Sequence, residues 1–273
     1  MQETNWQKKD RLCEPARSGK LVCCHPSDRN GMKLCVAQIK PVSGAVQRNI
    51  DQHEKLLALA ISQNADVVIF PELSITGYEP GLAHQLATGQ DDSRFGIFQQ
   101  LADAYSLTIG VGAPTKSETG ICISLIIFQP DLARQTYSKA YLHPDENAFF
   151  VSGQRFPGLI GPEANIALAI CYELSVPEHL ANACKNGAAI YLASVAKSSE
   201  GVRKASERLS TIACQQSMLV LMANCLGPCD NFVGAGQSAI WTDTGVLAGQ
   251  LDDAHEGILL IDTDTQEVTE LYL

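Results

Sequence analysis

Apolar residues fall along this chain in two rhythms that alternate from Lys33 onward. Short continuous runs bounded by Gly, Pro, Asn or Asp read as strands buried on both faces. Longer stretches with apolar residues three and four apart read as helices packed by one side. The first run covers residues 33–39 and is broken by Pro41 and Gly44. Asn49 then caps a predicted helix over 50–63, with Ile50, Leu56, Leu57, Leu59, Ala60 and Ile61 on its apolar side. Residues 66–70 form the next buried strand, stopped by Pro71 and Glu72.

The same alternation continues. A helix is predicted over 95–105 and a strand over 107–111, followed by a turn at Gly112 and Pro114. Residues 120–128 and 133–138 read as a hairpin around Pro130 and Asp131, with Lys139 at its far end. The run 166–170 is a strand that stops at Cys171. A helix over 178–186, a strand over 188–193, a helix over 204–217 with Glu207 and Arg208 exposed, and a strand over 218–223 follow. Residues 234–241, 257–261 and 268–271 supply further strands, and the glycine-rich stretch 227–236 reads as a loop feeding one of them. Strand, helix and buried strand at these spacings imply crossover units in one α/β domain over residues 32–273. Residues 1–31 are polar, carry six Lys/Arg against four Asp/Glu and hold neither rhythm, which predicts a flexible N-terminal extension.

Composition narrows the function classes. A chain of 273 residues with 45% hydrophobic content can bury a large core without staples. Its net charge of −10 gives no global support to nucleic acid or a membrane surface as partner. No apolar run reaches bilayer-spanning length, and the start lacks the pattern of a secretion signal, so a cytoplasmic address is expected. Seven of the ten cysteines lie beyond residue 31, most in apolar runs, and are expected to be reduced. Cys13, Cys23, Cys24 and His25 lack the two-residue loop of common zinc sites, and no metal is expected.

Three reactive side chains stand at predicted strand ends: Glu72, Lys139 and Cys171. Each has a plainer reading, as a surface acid, a solvated loop lysine and a small core residue. Together they make a chemical set. Cys171 suits a rigidly held nucleophile, and Glu72 a general base whose pKa is raised by burial. An ammonium at Lys139 beside them would favour the thiolate and then a negative oxygen. His143 is the rival base. Ligands bind beyond the carboxyl ends of strands in open α/β sheets, so Glu72 and Cys171 meet if their strands are neighbours.

From Lys33 to Leu273 the chain resembles the carbon–nitrogen hydrolases of the nitrilase superfamily. The likeness rests on Phe70-Pro71-Glu72-Leu73 with Thr76-Gly77-Tyr78, on Ser138-Lys139-Ala140-Tyr141-Leu142 with Glu146, and on Ile170-Cys171-Tyr172-Glu173 with Pro177-Glu178. Gly234-Ala235-Gly236-Gln237-Ser238 extends it. The resemblance implies a four-layer αββα sandwich. It implies Glu72 as general base and acid, Lys139 as oxyanion stabiliser and Cys171 as nucleophile. The Tyr172 N–H becomes a second oxyanion donor, and Glu146 orients lysine and substrate. Tyr78, His143, Ala196 and Lys197 are expected around the pocket. The implied reaction is hydrolysis of a small amide or N-carbamoyl compound through a cysteine thioester, without cofactor, by a homodimer or larger homo-oligomer. The alternatives are a nitrilase and a non-catalytic scaffold of the same fold.

Overall fold

The computed structural model describes residues 31–89, 91–153 and 158–273. The expected N-terminal extension therefore lies, apart from Gly31, outside the described residues, as do Cys13, Cys23, Cys24 and His25. The elements run in the order β1 (Lys33–Gln38), α1 (Val46–Ser62), β2 (Val67–Ile69), a short α2 (Ala83–Leu86), α3 (Gly96–Tyr105), β3 (Thr108–Lys116), β4 (Ile121–Phe128) and β5 (Gln135–Ser138). Then come β6 (Ile166–Ile170), α4 (Pro177–Lys185), β7 (Ile190–Val195), α5 (Ser199–Gln216), β8 (Leu219–Asn224), β9 (Leu226–Cys229) and β10 (Phe232–Ala235). Strands β11 (Ala239–Trp241), β12 (Leu247–Gln250), β13 (Gly257–Asp262) and β14 (Val268–Tyr272) close the chain.

Two sheets carry the molecule. One has seven strands in the order β14-β13-β1-β2-β3-β4-β5; the other has five in the order β12-β11-β8-β7-β6. The continuous apolar runs have a simple cause: each strand faces a separate core on either side. Leu34, Val36, Val67 and Ile69 pack between the sheets with Ile166, Leu168, Ile170 and Leu192. Their sequence neighbours Cys35, Ala37, Val68 and Phe70 point the other way, onto a core shared with α1 and α3. Ala167, Ala169, Tyr191 and Ala193 likewise face α4 and α5, as does Trp241. Three cores between four layers give the αββα sandwich.

Several sequence expectations shift. Asn49 does not cap α1; the helix starts at Val46, four residues before the expected start, and Asn49 is buried in its packed face. Its amide accepts from the Val42 N–H at 2.8 Å and donates to the carbonyls of Val42 and Ile75, each at 2.9 Å. The predicted turn at Gly112 and Pro114 is absent, because β3 runs on to Lys116. The Pro114 backbone faces the side where β2 has ended: its carbonyl accepts from the Thr88 N–H at 3.1 Å, so its missing N–H breaks no rung to β4. Helix α5 begins at Ser199, five residues before the expected start, with the Ser198 hydroxyl accepting from the Gly201 N–H. Arg208 is half-buried, not exposed, and donates to the Leu174 carbonyl. Residues 227–236 are largely a hairpin, β9 against β10, rather than a loop. No expectation covered β12.

Candidate active site

Glu72, Lys139 and Cys171 do converge, but not as neighbours on one sheet. Strand β2 belongs to the seven-stranded sheet and β6 to the five-stranded one. The two strands face each other across the central core, and Ser194 of β7 ties the layers by donating to the Phe70 carbonyl at 2.8 Å.

Beyond β2 the chain turns sharply at Leu73, whose φ is +51°. This turn lies directly on Gly112. A Cβ there would come within 2.3 Å of the Pro71 oxygen and 2.4 Å of the Leu73 nitrogen, so only glycine fits. The turn is pinned from outside by α1. His53 Nδ1–H donates to the Asn49 carbonyl at 2.6 Å, and its Nε2 accepts from the Ser74 hydroxyl at 2.9 Å. Burial lowers the His53 pKa to about 4, against the opposing pull of that carbonyl, so the ring is neutral near pH 7. Held in this way, Glu72 is 1% exposed. Its Oε1 accepts from Lys139 Nζ at 2.7 Å, while Oε2 is buried with no hydrogen-bond partner among the described residues. Burial pushes the carboxyl pKa up, Lys139 pulls it down and Glu146 raises it again.

Lys139 follows β5 and is fully buried. Its backbone N–H donates to the Ile123 carbonyl and its own carbonyl accepts from the Gly153 N–H, each at 2.8 Å. Two of the ammonium's three donors go to Glu72 Oε1 and Glu146 Oε1, both at 2.7 Å. Burial opposes the charge, but Glu72, Cys171 and Glu146 outweigh it and hold the lysine above its ordinary value. Glu146 sits in a 3₁₀ turn over Pro144–Ala148. It accepts from the His143 N–H at 2.8 Å and from the Tyr78 hydroxyl at 2.9 Å.

Cys171 follows β6 with φ of +43°, a strained value for a side-chain-bearing residue, and opens a 3₁₀ turn over Cys171–Ser175. The thiol is half-buried and faces the Ala196 carbonyl at 3.8 Å. Burial and the Glu72 charge raise its pKa, while Lys197, Lys139 and a backbone hydrogen bond at Ala196 lower it without prevailing. The resting sulfur is therefore a thiol. It needs a base.

Glu173 joins the two halves, and its motif position alone did not reveal how. The side chain is fully buried. Oε1 accepts from the Ala140 N–H at 2.7 Å, next to Lys139; Oε2 accepts from the Ile170 N–H at 2.8 Å, next to Cys171. Oε2 also accepts from the Tyr137 hydroxyl at 2.5 Å. That hydroxyl in turn accepts from His179 Nε2 at 2.8 Å, whose Nδ1 accepts from Tyr191 at 2.9 Å. Sequence reasoning missed this chain, as it missed the work of Asn224, whose amide holds the Lys197 backbone through contacts of 2.8 and 3.1 Å. Their only sequence signal is a polar residue inside an apolar run.

The thiol opens into a cleft of about 520 Å³, lined on its inner side by Tyr78, Glu146, Cys171, Tyr172, Ala196 and Lys197. Asp230, Asn231 and Phe232 at the tip of the β9–β10 hairpin border it, and His143 lies on the rim. The His143 ring meets Tyr172 edge-on at 5.3 Å and the Asp145 carboxylate at 3.5 Å. Glu72 and Lys139 stand behind Cys171, outside the lining. Among the described residues no group of three or more His, Cys, Asp and Glu is placed to hold a metal ion. An acid and an ammonium packed behind a thiol that opens into a cleft can transfer protons to and from a covalently attached acyl group.

The family model for carbon–nitrogen hydrolases matches residues 33–272. A hydrolase in the agr operon of Staphylococcus aureus is 24% identical over 88% of this chain and 94% of its own. A probable nitrilase of Schizosaccharomyces pombe is 26% identical over 87% and 90%. The solved amidase from Nesterenkonia sp. AN1, a variant with an acetamide group added at its active-site cysteine, superposes with a TM-score of 0.76 at 24% identity, covering 85% of this chain and 90% of that one. The scaffold alternative is set aside: the chain belongs to the carbon–nitrogen hydrolase family and is a hydrolytic enzyme.

Proposed function

We propose that the chain hydrolyses a small amide or N-carbamoyl compound through a thioester on Cys171. The observation that carries this reading is the buried Glu72–Lys139–Glu146 array behind a half-exposed thiol, with carboxylates 2.7 Å either side of one ammonium. Glu72 takes the Cys171 proton as sulfur bonds to the carbonyl carbon. Burial has raised the pKa of this carboxyl, which narrows the gap to the thiol it must deprotonate. The carbonyl oxygen gains charge and meets the third Lys139 N–H and the Tyr172 N–H. Tyr172 is in the leading turn of the 3₁₀ segment, where N–H groups have no partner inside the turn. As the carbon–nitrogen bond breaks, Glu72 returns the proton to nitrogen and ammonia or an amine departs. Water then attacks the thioester, gives its proton to Glu72 and releases the acid. The freed sulfur takes that proton back.

Glu146 acts by holding Lys139 in place and by orienting substrate from the cleft side. Tyr78, His143, Ala196 and Lys197 shape the pocket. The cleft, lined by apolar as well as polar side chains, has room for a small planar amide or carbamoyl group. A cytoplasmic address accords with seven free thiols among the described residues, and no described helix is long and apolar enough to cross a membrane. Assembly as a homodimer or larger homo-oligomer follows from the family and is read by analytical ultracentrifugation.

The test is ammonia release from a panel of ω-amides, N-carbamoyl amines and amino acids, aliphatic amides and nitriles, with Cys171→Ala as the blank. Turnover of amides or carbamoyl compounds that vanishes in Cys171→Ala supports the reading. Exclusive turnover of nitriles replaces it with a nitrilase, and turnover retained in Cys171→Ala removes the nucleophile.

A further inference from the structure

A pair of thiols borders the cleft and takes no part in this chemistry. Cys225 and Cys229 are each 1% exposed, and their sulfurs are 3.5 Å apart. In a straight strand, residues four apart stand roughly 13 Å apart, so the chain must double back to make this contact. Gly227 allows it with φ of +80°, just before Pro228, and Cys229 Sγ also reaches the Gly227 carbonyl at 3.7 Å. The two thiols pack with Ala196 against Tyr78 and Phe232, all three of which line the cleft. They are not equivalent. The hydrogen bond between them raises the Cys225 pKa and lowers that of Cys229.

We propose that Cys225 and Cys229 are a redox modification site, closing to a disulfide on exposure to a hydroperoxide and deforming the wall of the cleft. The Cys229 sulfur attacks the peroxide: an S–O bond forms, the O–O bond breaks, and the alcohol, or water from hydrogen peroxide, leaves with the Cys229 proton. The Cys225 sulfur then attacks the sulfenic acid. An S–S bond forms, the S–O bond breaks, and hydroxide leaves as water with the Cys225 proton. Two thiols lose two electrons, and the peroxide is reduced.

The sulfurs must close by about 1.5 Å to reach a bond of about 2.05 Å. The surroundings have little slack. A Cβ on Gly234 would lie 2.8 Å from both the Cys225 oxygen and sulfur, and the Cys225 carbonyl accepts from the Gly236 N–H at 2.8 Å. Cys225 follows Asn224, whose amide holds Lys197, and the adjacent Ala196 carbonyl faces the Cys171 thiol. A shift at the pair therefore reaches the nucleophile through two consecutive backbone contacts.

Bond formation is independent of the hydrolase reading; its effect on turnover rests on it. The full chain carrying Cys171→Ala, which cannot be oxidised at the nucleophile position, is exposed to hydrogen peroxide, alkylated with iodoacetamide, digested and mapped by mass spectrometry. Segment 225–229 should be unalkylated and lighter by two hydrogens, and dithiothreitol should reverse this. Alkylation of both thiols after exposure, or a bond from either to another cysteine, overturns the site. In the second arm the wild type should lose kcat/KM by about ten-fold or more under peroxide and recover with dithiothreitol, as displaced catalytic groups predict. Cys229→Ser, or Cys229→Ala if the serine variant does not fold, should keep its activity under the same exposure. Equal losses in wild type and variant assign the effect to Cys171, and a disulfide with unchanged turnover removes the link to the cleft. The rate of Cys171 alkylation by iodoacetamide reads the same change without any substrate.

Discussion

Replacing Glu173 by glutamine asks whether this buried carboxylate aligns the two halves of the site. The substitution keeps shape and volume and changes one acceptor oxygen into a donor. Glu173 accepts three hydrogen bonds: Ala140 N–H on one oxygen, Ile170 N–H and the Tyr137 hydroxyl on the other. Glutamine offers one oxygen, which best serves the pair from Ile170 and Tyr137. Its NH₂ then faces the Ala140 N–H. A charge-assisted bond is lost, worth about 1.5–3 kcal/mol, and the partly buried Ala140 N–H is left unpaired at up to about 1–3 kcal/mol. A total near 3 kcal/mol allows for overlap between the two terms. Urea unfolding at neutral pH should show it as a midpoint lowered by about 1 M, for a slope near 3 kcal/mol/M. The kinetic effect is the sharper discriminator. Ala140 adjoins Lys139 and Ile170 adjoins Cys171, so freeing Ala140 moves the ammonium relative to the thiol. A displacement of about 1 Å costs up to about 100-fold in rate. Measured well below the melting temperature, kcat should fall about 10- to 100-fold with KM little changed. A folded variant with wild-type kcat would show that Glu173 only stabilises the fold and would refute the alignment argument.

Gly112→Ala should separate Glu72 from its partners, because the new Cβ would meet the Pro71 oxygen at 2.3 Å; kcat/KM should drop about 10-fold or more while far-UV circular dichroism is retained. Glu72 must be ionised to take the thiol proton, and its pKa is raised by burial. The acid limb of kcat/KM should therefore lie above the usual carboxylate range and move or vanish in Glu72→Gln; a limb near pH 4 in the wild type contradicts the assignment. His53, with its pKa lowered to about 4 from 6.5, is neutral in both folded and unfolded chains above pH 6.5. As pH falls, only the unfolded chain gains the proton, so stability is lost between pH 6.5 and about 4. This amounts to about 2 kcal/mol from pH 7.5 to 5. His53→Asn should show a pH dependence shallower by that amount in urea titrations, and equal slopes would refute it.

The sequence by itself determined much of this protein. Its continuous apolar runs required strands covered on both faces, its helical stripes required helices outside them, and the order of motifs carried Glu72, Lys139 and Cys171. Those signals are local: they depend on residues within one element and are written in its period. The tertiary structure decided what joins distant segments. Sequence placed β2 and β6 as possible neighbours in one sheet, whereas they belong to two sheets and meet face to face. Periodicity says that a strand is buried twice but not against what. Asn49 looked like a helix cap because its type suits one. Its amide instead secures Val42 and Ile75, the latter 26 residues away. Pro114 looked like a turn until the early end of β2 left its nitrogen no partner to lose. Glu173, Tyr137 and His179 were ordinary residues in a motif, a strand and a helix. A buried carboxylate must find donors, but only the packing of two sheets determines that those donors stand beside the lysine and the cysteine.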